Sequence, residues 1–202
     1  MQSRELTIAG VYEFVPPTFA DNRGMFASPF QEQAVVEATG RSMRVAQTNH
    51  SISSRGAIRG VHFADVPPSQ AKYVYCPRGA LLDVVVDIRV GSPTFGQWDS
   101  VRLDPKECRA LFVPEGIGHA FVALEDDTVM NYLCSEGYNP WRERGINPLD
   151  PALDLPWPEG LEQQLSAKDL AAPTLAEAAA AGILPRYEEC LTFYEKLRVL
   201  HA

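Results

Sequence analysis

The sequence predicts an all-β protein, an antiparallel sandwich or barrel closed by C-terminal helices. Sixteen prolines and fourteen glycines are spread through the 202 residues, short strand-like runs recur between turn residues, and no long helical periodicity interrupts them. A chain of this length buries about 70% of its unfolded surface, enough for one domain that needs neither disulfides nor a metal to fold.

Each element has a local reason. Residues 45–49 and 72–76 alternate inward and outward candidates, as half-buried strands do. Residues 81–90 are rich in Val and Ile, which suits a strand buried on both faces. Residues 101–103 and 110–113 flank Asp104-Pro105-Lys106-Glu107, a strong turn, and are expected to pair as a hairpin. Residues 120–124 and 129–133 follow, separated by the acidic turn Glu125-Asp126-Asp127. From Asn147 the prolines at 148, 151, 156 and 158 exclude regular helix or central strand, so an ordered loop should wrap the core. Two helices are expected to close the chain. Thr174 caps the first, over 175–181, with Gly182 as its stop; in the second, Tyr187, Cys190, Leu191, Tyr194 and Leu197 share one packing face. No internal repeat or low-complexity linker divides the chain.

Composition limits the function. Eighteen cations against 26 acids leave a net charge of −8, a poor field for nucleic acid or an anionic membrane. No run approaches the roughly 18 apolar residues of a membrane span, and Met1-Gln2-Ser3-Arg4-Glu5 lacks a signal core. Cys76, Cys108, Cys134 and Cys190 form no C-x-x-C pair and read as free thiols of a reducing cytosol. Any anion site must therefore concentrate a few cations locally.

Taken singly, the chemical candidates have ordinary explanations. His62 and His119 adjoin strand-like runs, where a histidine most often packs or finds one hydrogen bond. A metal would have to be assembled across strands from His50, His62 and His119, without an H-x-H pair, and none is expected. Arg59, His62 and Lys72 surround the compact Gly56–Phe63 segment. On a regular strand Arg59 and His62 point to opposite faces; if both serve one site, Gly60 must permit a bulge or twist. Arg23 sits at the tip of the turn Asp21-Asn22-Arg23-Gly24, which otherwise reads as a solvated loop. Tyr132 shares a face with Met130 and Cys134, so its phenol points inward. Asp169 reads as part of a turn or helix start.

In order along the chain these residues form a pattern. The sequence carries Asp21-x-Arg23-Gly24-x-Phe26, Gln47-x-Asn49-x-Ser51 and Arg59-Gly60-Val61-His62-Phe63. After them come the Asp87 to Gly96 run, Pro114-x-Gly116-x-Gly118-His119-x-Phe121 and Tyr132. Tyr138-x-Pro140-x-x-Glu143, Asp150-Pro151, Trp157-Pro158 and Leu165-Ser166-x-Lys168-Asp169 complete the series. Over roughly residues 5–170 the chain resembles the dTDP-4-dehydrorhamnose 3,5-epimerase family, with wording closest to epimerases of actinomycete antibiotic deoxysugar pathways.

The resemblance implies a cupin-like double-stranded β-helix, or jelly roll, over 1–170, with 171–202 as a helical extension packed on that domain or on a dimer partner. It implies epimerisation of a dTDP-4-keto-6-deoxyhexose at C3, C5 or both, without metal or organic cofactor, in a cytoplasmic homodimer. A 3,4-ketoisomerase of the same fold is the alternative. His62 would remove the proton α to the ketone, Asp169 would orient it, Tyr132 would reprotonate the opposite face, and Lys72 would stabilise the enolate. Arg23 and Arg59 would hold the diphosphate. Phe26, Gln47, Asn49, His119, Phe121, Tyr138, Glu143 and Lys168 would complete substrate binding, with Tyr138 stacked on thymine. Three departures stand out: Ser28 replaces the usual acidic residue, Pro148-Leu149 replaces W-N, and Phe63 replaces the tyrosine after the base.

Overall fold

The structure, a computed structural model, describes residues 1–200; the last two positions of the 171–202 extension lie outside the described residues. In chain order it comprises β1 (Gln2–Glu5), β2 (Tyr12–Val15), β3 (Thr18–Asp21), β4 (Gly24–Ala27), α1 (Glu32–Thr39), β5 (Gln47–Ser53), β6 (Ile58–Ala64) and β7 (Lys72–Arg78). Then come β8 (Leu81–Asp87), β9 (Trp98–Leu103), β10 (Ala110–Val113), β11 (Ile117–Ala123), β12 (Thr128–Cys134) and β13 (Glu143–Gly145). Helices α2 (Ala167–Leu170), α3 (Leu175–Ala180) and α4 (Tyr187–Leu200) close the chain.

The strands form two facing antiparallel sheets, ordered β1-β2-β10-β7-β12-β5 and β13-β6-β11-β8-β9, with β3 and β4 as a separate ribbon. This is the expected jelly roll. Strand period 2 decides what fills it. Val74, Cys76, Leu111 and Met130 of one sheet meet Leu81, Val85, Val101, Ile117 and Phe121 of the other in the interior.

On β8 the intervening Val84 and Val86 face outward, where Leu153, Leu155, Leu175, Ala178 and Leu184 cover them. The strand is buried on both faces, as its composition predicts, and each such side chain contributes about 1.5–3 kcal/mol. The cover is the proline-rich loop, tied down by the Trp98 indole donating to the Leu153 carbonyl (3.0 Å) and the Trp157 indole to the Pro148 carbonyl (2.8 Å). Helix α3 carries a full capping box at Thr174 and Glu177, and ends at Ala180, one residue short of the expected span. The α4 face also packs within this chain: Cys190 is fully buried and the Tyr187 ring lies 5.0 Å from the Arg89 guanidinium.

The motif beginning at Asp87 is a structural staple. Arg89 donates to both Asp87 oxygens at 2.8 Å, and Ser92 and Thr94 each donate to Oδ2 at 2.6 Å. With the Arg89 backbone amide donating to Oδ1 at 3.1 Å, five bonds compensate a carboxylate with no exposed surface.

Two expectations are corrected. The Asp104 turn forms, with its carboxylate accepting from the amides of Lys106 and Glu107, but β9 and β10 do not pair. β9 lies on β8 in one sheet, and β10 lies between β2 and β7 in the other. Turn chemistry fixes the bend and not the partner; here the chain changes sheets. Helix α1, with Val35 buried against the outer face of the six-stranded sheet, is not anticipated at all.

Candidate active site

A cleft of about 520 Å³ opens between the two sheets, lined by Asn49, Ser51, Arg59, His62, Tyr132, Lys168 and Asp169, together with His50 and Gln164. Its construction begins at Gly60. Along β6 and β11, His62 lies opposite His119 and Arg59 opposite Phe121, so Gly60 and Val61 of β6 together face the single residue Ala120 of β11. The extra residue is a bulge, and it turns both Arg59 and His62 into the cleft. Gly60 sits at φ +125°, and a Cβ there would come within 2.5 Å of the Ala120 Cβ and 2.6 Å of the His119 carbonyl oxygen. The bulge required for both residues to share a site is present.

Asp169 arrives from the far end of the sequence. The Ile58 amide donates to the Gln164 carbonyl and the Gln164 amide to the Gly56 carbonyl, both at 2.9 Å, which clamps this strap beside β6. Ser166 then caps α2 by accepting from the Asp169 amide at 3.1 Å. The Asp169 carboxylate, almost wholly buried, meets His62 Nε2 at 2.7 Å. Burial raises the Asp169 carboxyl, but the His62 bond and charge, Ser166 and Lys168 outweigh it and leave it below the ordinary aspartate value. An ionised carboxylate only accepts, which assigns the proton to Nε2 and leaves Nδ1 of His62 as the basic nitrogen.

Tyr132 belongs to the opposite sheet. Burial pushes its phenol well above the ordinary tyrosine value, with Asp83 adding to the rise and Ser51 and Arg59 opposing it. It therefore stays protonated at neutral pH, as a donor must. The buried Ser51 hydroxyl has no hydrogen-bond partner of normal geometry. His62 and Tyr132 thus stand on two different sheets with the cleft between them.

The remaining candidates fall into three groups. Arg59, Asn49 and Lys168 line the cleft; Gln47 donates to Asn49 at 2.7 Å and accepts from the Tyr138 amide at 2.8 Å. Lys72, His119 and Glu143 do not line it. Lys72 and His119 face the interior behind it, and Glu143 is near enough to act on the Lys72 charge. Burial pulls the Lys72 ammonium below the ordinary lysine value, and Glu143, Cys134 and Asp83 push it back. His119 Nε2 bonds both oxygens of Asp83, at 3.1 and 2.9 Å.

The third group lies elsewhere. Phe121, expected at the substrate, is 1% exposed, belongs to the core between the sheets and does not line the cleft. Arg23 and Phe26 sit on the β3–β4 ribbon, which pairs with neither main sheet, and among the described residues Arg23 bonds only its neighbour Asp21. Arg23, Arg59 and Lys72 therefore do not converge in one cleft within one chain. Phe63 points to the outer core, so the tyrosine it replaces would not stand beside the base.

Residues missed from sequence include Asp83 and His50. An acid inside the apolar run Leu81-Leu82-Asp83-Val84-Val85 was the available signal for the first. Among the described residues no three His, Cys, Asp or Glu side chains gather as metal ligands do, and no helix is long and apolar enough to cross a membrane. A second cavity, about 200 Å³ beneath α4, is lined by Arg41 and Arg89. Both are committed to buried acids, Glu115 and Asp87.

Comparison with known proteins decides the family. The family profile described as dTDP-4-dehydrorhamnose 3,5-epimerase matches residues 5–177. The chain belongs to the dTDP-4-dehydrorhamnose 3,5-epimerase family. It is accordingly a sugar-nucleotide epimerase, an isomerase. It is 54% identical over 198 residues to the dTDP-4-dehydrorhamnose 3,5-epimerase of Mycolicibacterium smegmatis, covering 98% of each chain. It is 51% identical to a dTDP-4-dehydrorhamnose 3-epimerase of Streptomyces niveus, over 94% of this chain and 91% of that one. Among solved structures, the 3'-monoepimerase ChmJ of Streptomyces bikiniensis in complex with dTDP-quinovose superimposes with a TM-score of 0.94 at 45% identity, over 96% of this chain and 98% of that one. The epimerase family's jelly roll is the fold described above.

Proposed function

We propose that this epimerase inverts a dTDP-4-keto-6-deoxyhexose at C3, with or without C5, using His62 as base and Tyr132 as acid. The observation that carries the reading is the placement of the His62–Asp169 pair and Tyr132 on opposite sheets across one cleft. A carbon α to the ketone loses its proton to His62 Nδ1, and the electron pair passes to the ketone oxygen as an enolate, which the Lys72 ammonium stabilises. Tyr132 then delivers a proton to the other face, so configuration inverts. Relatives of similar identity are named as 3,5-epimerases and as 3-epimerases, which keeps both outcomes for this chain.

Arg59 and Lys168 bind the diphosphate, Gln47 and Asn49 the nucleoside or sugar, and Tyr138 stacks on thymine. Phe19, Met25 and Phe26 are 63, 46 and 67% exposed on the β3–β4 ribbon, and an isolated two-stranded ribbon is marginal in water. It docks on a second copy, giving a homodimer in which Arg23 and Phe26 complete the partner's cleft. The substrate class and the free thiols support a cytoplasmic enzyme.

Solvent deuterium tests the reaction: label at C3, at C5 or at both identifies the inverted carbons, and His62→Ala should lose about 10²–10⁴-fold of the exchange. Intact wild-type protein that labels none of the dTDP-4-keto-6-deoxy sugars overturns the reading. Mixing Arg23→Ala with His62→Ala tests the shared site, since an exchanged dimer regains one intact cleft; two inactive proteins that stay inactive as mixed dimers refute it.

A further inference from the structure

Behind the cleft, four strands point polar side chains into an otherwise apolar interior: Lys72 on β7, Asp83 on β8, His119 on β11 and Tyr132 on β12. Their inward direction follows from register. Leu81 and Val85 flank Asp83 in the interior cluster, Ile117 and Phe121 flank His119, Val74 follows Lys72, and Met130 precedes Tyr132. Asp83 has no exposed surface, and an unpaired carboxylate there is strongly disfavoured. Its oxygens are held by His119 Nε2, and the His119 ring stands edge-on to Tyr132, centroids 6.4 Å apart at 80°.

We propose that Asp83 is a positioning residue: its buried carboxylate fixes the His119 proton on Nε2 and serves as counter-charge that keeps Lys72 an ammonium at the enolate. The proposal rests on the epimerase reading above and assigns to it a residue that touches no substrate. Lys72 is faced by Glu143 from β13, Cys134 from β12 and Asp83 from β8; Asp83 is faced by His119 and Lys72. Burial dominates and lifts the Asp83 carboxyl above the ordinary aspartate value, with His119 and Lys72 pulling against it, so the charge this carboxylate carries depends on those two neighbours. The dependence is mutual: without the carboxylate, burial alone acts on Lys72 from that side.

The test is Asp83→Asn, which keeps the shape and an oxygen for His119 while removing the charge. The Lys72 titration is read without substrate by NMR on protein labelled at the lysine Cε; the chain has only Lys72, Lys106, Lys168 and Lys196 to resolve. Lys72 should titrate about one unit or more lower in the variant. The alkaline limb of kcat should move with it, kcat at neutral pH should fall about tenfold or more, and KM should stay within about threefold. In a Lys72→Gln background the further loss from Asp83→Asn should shrink to under about threefold. An unchanged Lys72 titration overturns the proposal. So does a wild-type His119 whose ¹⁵N shifts place its proton on Nδ1, a measurement that needs no folded variant. Both readings are made on the protein alone, so they stand or fall separately from sugar labelling.

Discussion

Gly60→Ala perturbs fold and chemistry through one carbon. The new Cβ would stand 2.5 Å from the Ala120 Cβ and 2.6 Å from both the Ala120 Cα and the His119 carbonyl oxygen. All three belong to the backbone or its first carbon, so no flexible side chain swings away. Relieving the overlap costs about 1–3 kcal/mol, and holding alanine at this positive φ adds about 1–3 kcal/mol. A central sum of about 4 kcal/mol lowers Tm by roughly 8–16 °C for a chain of this size. The bulge also aims His62, so the surviving fold should misplace the base, and a shift of about 1 Å costs on the order of 10²-fold in rate. Denaturant melts give the first quantity, and deuterium exchange at a temperature where the variant is folded gives the second. Gly160→Ala is the control: φ is +71° but nothing lies within 4 Å, so about 1–2 kcal/mol is expected. A Gly60→Ala protein within about 1 kcal/mol of wild type and fully active would refute the claim that the bulge requires glycine.

Asp87→Asn leaves the buried Arg89 guanidinium without its anion and should cost about 3–5 kcal/mol in denaturant melts. Wild-type Asp87 and Asp169 both lie below the ordinary aspartate value. Their stabilising effect is therefore complete above about pH 4 and disappears as pH falls through their folded values, so an acid titration of Tm should be shallower below pH 4 in Asp87→Asn. Thr174→Ala removes the α3 cap and should cost about 1 kcal/mol, read as a small shift in the urea midpoint. Arg59→Ala should raise KM about 10–150-fold, the worth of a charge-assisted hydrogen bond or two, while kcat changes far less; an equal fall in kcat would place Arg59 in the chemistry instead.

Most of the strands were legible because their signals are local. Alternation at 72–76 and the both-face burial at 81–90 need only the residue pattern and a sheet of period 2. The capping box at Thr174 is equally local. What failed was long-range. The Asp104 turn was correct, yet β9 and β10 found different sheets, since a turn does not specify which edge each strand joins. Helix α1 has Gln31 with no side-chain cap, β-branched Val35 and Val36, and one buried residue; its clearest mark was Gly40 at the stop. At the site, His62, Asp169, Arg59 and Tyr132, expected from family spacing, all line one cleft. Asp83 was readable from physics alone, as an acid in a valine run. Phe121 was misassigned because the motif lists a residue without saying which layer of the sandwich its side chain fills.

The net charge of −8 and a dianionic substrate are reconciled by where the acids lie. The cleft wall carries Arg59, Lys168, His50 and His62 against one carboxylate, Asp169, and that carboxylate is already bonded to His62. Asp83, Asp87 and Glu115 are buried beside their own partners His119, Arg89 and Arg41, so they contribute little field at the cleft mouth. Within one chain the cleft offers two such cations, Arg59 and Lys168, because Arg23 lies on the separate ribbon and does not line it. In the proposed dimer a second copy that brings Arg23 back would add a third, and subunit pairing would then be a condition for binding the anion and not only for burying the ribbon's aromatic face.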